Sequence, residues 1–342
     1  MQIHLSILPL LILYLLSINF LLKKFNISLD KEATHEKHKS LLRKGNTTPL
    51  SGMFYFLPII LIFTNDLNIL VKICCSLFFI LGFLADVKII NSYKLRLVFQ
   101  FLFLSLLFFI TKDIIIDTRL SFINNLMDYD LTRILLCTFF FMVLINGFNL
   151  IDGTNCLCTL NLLIVSIFLF LLIDNLNIDY MINESKILII ALSIFVLFNF
   201  FGKNFLGDGA AYGLSFVFGY ILLKISIINN NISPYFIANL LWYPAFENLF
   251  SILRRNFSNM NNYLPDNEHL HQLIFKFYKK KKIIKKDFLL SSMIGICINF
   301  ILFVNYSIGY LYYNHTITQV VLIAGGIFLY LIFYYSFKKK LS

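Results

Sequence analysis

The sequence predicts an all-α polytopic membrane protein with about eleven transmembrane helices. Of its 342 residues, 59% are hydrophobic and only 14% are charged, whereas an ordinary soluble domain carries roughly 25% charged residues. Apolar runs of about 20 residues, which is the length needed to cross a hydrocarbon core of about 30 Å, recur along the whole chain. No stretch is left for a separate soluble domain, so 1–342 is predicted to be a single transmembrane domain.

Each predicted span is an apolar run between two polar breaks. The first run is too long for a cleaved signal peptide, and no small-residue cleavage site follows it, so it is interpreted as a retained helix. The predicted spans are 3–22, 50–64, 67–85, 95–112, 131–150, 156–174, 186–201, 210–228, 234–252, 288–312 and 317–337.

The basic residues predict the orientation of these spans. Cytoplasmic flanks carry an excess of Lys and Arg, and most of the 29 Lys and Arg fall in alternate loops and in the tail. The N-terminus is therefore predicted outside and the C-terminus in the cytoplasm. The same bias accounts for the net charge of +11, and no soluble basic domain remains to bind nucleic acid. The predicted cytoplasmic loops are approximately 23–49, 86–94, 151–155, 202–209 and 253–287.

Four segments with carboxylates or histidines interrupt the apolar chain, and all four are predicted at the cytoplasmic face. On the fifth span, Asn146, Asn149 and Asp152 are spaced by three residues and so share one helix face. A helix cap followed by a turn would explain Asp152-Gly153, but not two Asn inside the membrane. This stripe is therefore interpreted as functional.

The second segment runs from Asn199 to Gly207-Asp208-Gly209 between the seventh and eighth spans. Flanking glycines let a backbone approach a ligand closely, and an isolated carboxylate beside a membrane suits a Mg²⁺ ligand. A simple turn is equally compatible with this short motif.

The third segment places Asp86 before Lys94 and Arg96. Asp86 is interpreted as a base or metal ligand beside cations that hold phosphate, with plain interfacial flanking as the alternative.

The fourth segment lies in and before the loop 253–287. His269 and His271, near Arg255, provide donors for phosphate oxygens or metal ligands. Glu247, on the ninth span, is costly to place in lipid and is expected to face a protein-lined cavity. Its expected partner is Arg254, Arg255 or a substrate group. The Lys-rich stretch that follows is interpreted as a flank near anionic lipid.

Five motifs in matching order, over about residues 37–275, resemble the polyprenyl-phosphate N-acetylhexosamine-1-phosphate transferases. The motifs are Thr48-Pro49-Leu50-Ser51-Gly52, Gly82 to Asp86 with Arg96 and Gln100, Asn146 to Gly153, Phe198 to Asp208, and His269 to Leu273.

The resemblance implies transfer of an N-acetylated sugar 1-phosphate from a UDP-sugar to polyprenyl phosphate, with release of UMP and a requirement for Mg²⁺, Mn²⁺ being an alternative. It implies a bacterial cytoplasmic (inner) membrane enzyme that initiates cell-surface polysaccharide synthesis, such as that of O-antigen; whether it forms a homodimer is left open. The expected catalytic residues are Asp86, Asp152 and Asp208, with Asp208 and Asp152 at the metal. The expected substrate- and phosphate-binding residues are Lys94, Arg96, Asn146, Asn149, Asn199, Glu247, Arg255, His269 and His271.

Three positions depart from the family pattern. Paired aspartates after the third span appear as Ala85-Asp86, an aspartate of the Asn-x-x-Asp-Gly-x-Asp-Gly motif is Asn155, and the third residue of the His box is Gln272. A transporter or flippase for a lipid-linked or anionic solute is the alternative function, and an inactive scaffold of the same fold is a third. UDP-GlcNAc or a related UDP-N-acetyl sugar is the expected donor.

Overall fold

A computed structural model describes residues 2–27, 29–30, 48–111, 117–257 and 268–341, and within them it contains thirteen α-helices and one pair of two-residue strands. The helices are α1 (Gln2–Phe25), α2 (Gly52–Phe63), α3 (Ile69–Asp86), α4 (Tyr93–Ile110), α5 (Ser121–Met127), α6 (Asp130–Ile151), α7 (Leu157–Asn175), α8 (Ile182–Phe200), α9 (Gly207–Ile228), α10 (Pro234–Phe257), α11 (Leu270–Lys280), α12 (Asp287–Leu311) and α13 (Thr316–Leu341). Strands β1 (Leu29–Asp30) and β2 (Thr48–Pro49) pair antiparallel.

The all-α polytopic membrane fold is confirmed. In the described part of the chain, nine helices are long and apolar enough to cross a membrane. Eleven helices coincide with the eleven predicted spans, but α2 is shorter than the other spans and α10 is not among the nine. Asn239, Glu247 and Asn248 are buried inside α10, so this helix is more polar than the rest because it packs against protein.

Helices α5 and α11 were not predicted as elements. Helix α5 has only seven residues, too few to register as a membrane span. Helix α11 lies within the predicted loop 253–287 and combines a buried apolar face with a Lys-rich end. Because its charged residues lower the mean hydropathy, hydropathy alone assigns this segment to a loop. Most of the predicted loop 23–49 and residues 258–267 lie outside the described residues.

Helix α9 forms the centre of the bundle, and its membrane window is the most buried of the candidate spans. It packs on α2, α3, α6 and α7. Gly82 of α3 allows a close approach, because a Cβ at this position would lie 2.4 Å from the backbone oxygen of Asp208. Small residues bring membrane helices into backbone contact in this way. The α3–α9 pair thus holds the end of α3 against the beginning of α9.

The loops meet at two ends of the bundle. At one end, Leu50 bridges Phe205, which brings the beginning of α2 to the α8–α9 loop. At the other end, the side chain of Asp66, between α2 and α3, accepts the backbone N–H of Met181, between α7 and α8. The alternation expected for successive spans is therefore observed. Which end faces the cytoplasm stays a prediction.

Candidate functional site

Asp86 is the last residue of α3, and its carboxylate caps the beginning of α9. Oδ1 accepts the backbone N–H of Asp208 at 3.0 Å, and Oδ2 accepts that of Gly209 at 3.1 Å. The first N–H groups of a helix have no partner within it, and a negative charge is favourable at that end. Asp86 therefore fixes Asp208 in position. Both carboxylate oxygens are engaged in this task, which differs from the base role assigned to Asp86 from the sequence.

Asp208 lies in the first turn of α9 rather than in a loop. Its side chain is only 5% exposed, and its Oδ2 lies 3.1 Å from Nη1 of Arg96, whose side chain is 15% exposed. Lys94 begins the same helix as Arg96, α4, and is exposed. The structure thus brings Asp86, Arg96 and Asp208 together from three helices, as the sequence motifs predict.

Gly207 is required for backbone and steric reasons. Its φ is +80°, and a Cβ there would lie 2.7 Å from Oδ2 of Asp86. Residues other than glycine rarely adopt such a φ. The sequence interpretation, in which the glycines admit a ligand, is therefore replaced: Gly207 and Gly209 pack against α3.

Asp152 ends α6 and is half-buried, and the next residue contacts the His box. A Cβ at Gly153 would lie 2.7 Å from Nε2 of His271, so only glycine leaves room for this imidazole. His271 is fully buried, and its ring stacks in parallel on that of His269 at 5.7 Å. The structure thus joins the third and fifth of the five motifs, Asn146–Gly153 and the His box.

His269 is held by a carboxylate, which a tyrosine hydroxyl supports in turn. Its Nδ1 lies 2.9 Å from Oε1 of Glu247, and the hydroxyl of Tyr330 donates to Oε2 of Glu247 at 2.8 Å. A carboxylate only accepts, so Nδ1 of His269 carries the proton and Nε2 faces away from Glu247. Glu247 is 0% exposed. The expected pairing of Glu247 with Arg254 or Arg255 is wrong: Arg254 instead donates to the backbone oxygen of Glu268.

Gln272 accounts for one departure from the family pattern. Its side-chain oxygen accepts the backbone N–H of His269 at 3.2 Å. This contact closes the first turn of α11 in the manner of a capping box. Gln272 therefore supports the position of the imidazoles instead of adding a third one.

The predicted stripe on α6 divides into residues with different surroundings. Asn146 is buried, and its Nδ2 donates to Oε1 of Gln100 at 2.7 Å and to the backbone oxygen of Met142 at 2.8 Å. The hydrogen bond to Gln100 joins α6 to α4. The substrate-binding role expected for Asn146 does not predict this contact. Asn149, in contrast, has a buried Oδ1 without a hydrogen-bond partner among the described residues. An orphaned buried acceptor of this kind requires a ligand, an ion or a water.

Asn199 also has a structural role, because its side chain hydrogen-bonds two backbone segments. Its Oδ1 accepts the backbone N–H of Cys156 at 2.7 Å, and its Nδ2 donates to the backbone oxygen of Asn204 at 2.8 Å. Cys156 has a left-handed φ of +62°, so its N–H needs a partner outside the usual helix pattern. The contacts of Asn199 hold the beginning of α7 to the α8–α9 loop, and its expected role in substrate binding stays a prediction.

The sequence did not predict three further polar residues at this end of the bundle. The Ser51 hydroxyl, the Thr154 hydroxyl and the whole Asn204 side-chain amide are buried without a hydrogen-bond partner in the described part of the chain. The only sequence signal was their position inside or beside the motifs. Arg255, which was predicted, is half-buried in the last turn of α10.

Magnesium fits the donor chemistry of this end of the bundle. Mg²⁺ is typically held by one or two carboxylates together with waters and substrate phosphates. Asp152 and Asp208 would supply the carboxylates, and the orphaned Oδ1 of Asn149 would be a further oxygen donor. Among the described residues, no group of three or more His, Cys, Asp or Glu side chains is placed to hold a metal. A site that relies on substrate oxygens needs no such group.

These features define a multi-pass membrane protein in which carboxylates, cations and imidazoles gather at one end of the helix bundle. Residues 68–226 match the family model described as Glycosyl transferase family 4, the family of polyprenyl-phosphate sugar-1-phosphate transferases. This match covers somewhat less than half of the chain; it confirms the resemblance seen in the motifs and indicates a transferase. The match includes Asp86, Arg96, Asp152 and Asp208, but not the His box. No match is found among curated proteins.

Proposed function

We propose that this protein transfers an N-acetylhexosamine 1-phosphate from a UDP-sugar to polyprenyl phosphate and releases UMP. The observation that carries the proposal is the junction of Asp86, Arg96 and Asp208 at adjoining ends of α3, α4 and α9 within the family match. In the reaction, a phosphate oxygen of the lipid attacks the sugar-bearing phosphorus of the donor. A new P–O bond forms, and the bond to UMP breaks.

The main task of such a site is to bring two phosphate anions together and to align them. Arg96 and Lys94 at the beginning of α4, with Arg255 and the imidazoles of the His box, supply positive charge and hydrogen-bond donors for phosphate oxygens. Asp86 holds the first turn of α9 and so fixes the direction of the Asp208 side chain. Asn149 offers its Oδ1 to the nucleotide, to water or to the metal.

Asp208 and Asp152 would hold Mg²⁺, with Mn²⁺ as an alternative ion. When bound, the ion neutralises phosphate charge and orients the diphosphate. In the structure, the Asp208 carboxylate pairs with Arg96 at 3.1 Å. We therefore expect Arg96 to turn toward phosphate when Asp208 takes up its ligand.

The proposal includes the setting of the reaction. The net charge of +11 and its bias toward one set of loops favour a site that faces the cytoplasm, where UDP-sugars are made. The protein would then act at the inner membrane of a bacterium and initiate synthesis of a cell-surface polysaccharide. UDP-GlcNAc or a related UDP-N-acetyl sugar is the proposed donor.

A transporter or flippase is the competing class. Transport sites lie near the middle of the membrane, between broken helices. Here Asp86, Asp152 and Asp208 lie at the ends of α3, α6 and α9. This placement at the membrane surface favours chemistry on a headgroup over passage of a solute.

The proposal is tested with the purified full-length protein, polyprenyl phosphate, Mg²⁺ and a panel of UDP-N-acetyl sugars. We expect UMP release that needs both substrates, and a fall of about 100-fold or more in the Asp208→Asn variant. Asp179→Asn is the matched control, because Asp179 is exposed in the α7–α8 loop at the opposite end of the bundle. No UMP with any donor, or full activity in Asp208→Asn, would contradict the proposal.

A further inference from the structure

A groove of about 660 Å³ lies between α10, α11, α12 and α13. Its lining side chains are overwhelmingly aliphatic and aromatic. Among those of the described residues, Asn305 is the one amide, and its Nδ2 donates to the backbone oxygen of Leu322 at 3.0 Å. A cavity with this lining accepts an apolar chain rather than a sugar nucleotide.

The groove opens sideways to the hydrocarbon. Phe300 lines it and is 67% exposed on the outer surface of α12, and Ile301 and Phe333 are likewise exposed. Both α12 and α13 are candidate membrane spans. An occupant can therefore enter from the surrounding lipid without passing through water.

One end of the groove meets a concentration of positive charge. Tyr278, Ile283, Ile284 and Phe337 line this end, at the last turn of α11, the α11–α12 loop and the last turns of α13. The exposed lysines beside them are Lys280, Lys281, Lys282, Lys285, Lys286, Lys339 and Lys340. Clusters of four or more basic residues at a membrane surface attract anionic lipid headgroups.

The molecule that fills this groove is distinct from the lipid that reacts. The described residues that line the groove do not include Asp86, Asp152 or Asp208. Tyr330 lines the groove and donates to Glu247, which in turn holds His269, and all three are buried. Tyr330 and Glu247 therefore lie between the groove and the imidazole of His269, and neither Glu247 nor His269 lines the groove.

We propose that the groove binds an acyl chain of an anionic phospholipid whose headgroup lies among these lysines. The bound chain packs against Tyr330 and Leu270, and so supports α11 and α13 behind the His box. The proposal needs only the groove and its charged end, and does not depend on the reaction assigned above.

The test uses Trp242, which lines the groove and is the only tryptophan in the chain. The full-length protein is reconstituted in phosphatidylcholine vesicles that contain increasing fractions of phosphatidylglycerol brominated in its acyl chains. Bromine quenches tryptophan fluorescence on contact. We expect quenching at an about three-fold lower mole fraction than with brominated phosphatidylcholine.

Two matched double variants locate the headgroup. Lys285→Gln with Lys286→Gln should reduce the preference for phosphatidylglycerol. Lys23→Gln with Lys24→Gln removes two exposed lysines from the end of α1, at the same end of the bundle, and should leave it intact. Equal quenching by both lipids, no quenching by either, or a preference unchanged in the first variant would overturn the proposal. Displacement of the brominated lipid by unlabelled polyprenyl phosphate would also overturn it and would assign the groove to the acceptor.

Discussion

The guanidinium of Arg96 and the carboxylate of Asp208 meet at 3.1 Å although 112 residues separate them in the sequence. The contact joins the beginning of α4 to the beginning of α9, two helix ends that both present positive dipoles. Arg96 thus holds the Asp208 carboxylate where the two helices begin, beside the Asp86 carboxylate that caps α9.

Arg96→Gln should lower UMP release by about 10- to 100-fold, because it removes a charge needed to neutralise phosphate. Arg96→Lys should restore part of the rate, since the charge is retained but the planar fork is lost. Initial rates with both substrates measure the effect. Arg133→Gln is the control, because Arg133 pairs with Asp130 at the beginning of α6, at the opposite end. Wild-type rates in Arg96→Gln would exclude Arg96 from the site.

Asp86→Asn should destabilise the protein as well as inactivate it. Asparagine has one acceptor oxygen where the backbone N–H groups of Asp208 and Gly209 need two. The expected cost is about 1–2 kcal/mol, as for loss of a helix cap. Thermal unfolding in detergent and UMP release are measured on the same preparation. A variant that is inactive but as stable as the wild type would assign Asp86 to proton transfer instead of capping.

Glu247→Gln should weaken the hold on His269 and reduce turnover more than Tyr330→Phe does. The first change removes the charge that binds Nδ1 of His269, whereas the second removes only a hydrogen bond to Glu247. We expect a loss of about 10-fold or more for Glu247→Gln and a few-fold for Tyr330→Phe. The kcat and KM of both substrates are compared. Equal effects of the two changes would contradict a direct role of the Glu247 charge in holding His269.

Gly207→Ala should lower stability by about 1–3 kcal/mol, because alanine is strained at a φ of +80° and its Cβ would press on Asp86. Gly325→Ala is the matched control, since a Cβ there has nothing within 4 Å. Alanine is also the better helix former, so Gly325→Ala should be neutral or slightly stabilising. Thermal midpoints in detergent check both. A Gly207→Ala variant with an unchanged midpoint would contradict the backbone assignment.

Hydropathy predicted the membrane fold well because each span must bury its backbone polar groups in its own helix. That constraint makes every span visible as an apolar run, including α2 and α10, which are shorter or more polar than the others. It says nothing of short or amphipathic helices outside the hydrocarbon, so α5 and α11 were missed.

The motifs located the candidate site, but they did not predict which of its residues bind one another and which are left with unsatisfied atoms. Spacing placed Asn146 and Asn149 on one helix, yet could not show that Gln100 of α4 binds the first and leaves the second with an unsatisfied oxygen. The partner of Glu247 was misassigned for the same reason. Charge alone favours arginine, whereas packing brings His269 and Tyr330 to the carboxylate.

Tyr330 belongs to α13, which lies beyond the family match, and it reaches the His box through Glu247. The C-terminal helix thus supports the residues that hold His269. Deleting it should not yield a smaller functional protein, and a fusion partner joined after Lys340 would need a linker that leaves the helix seated.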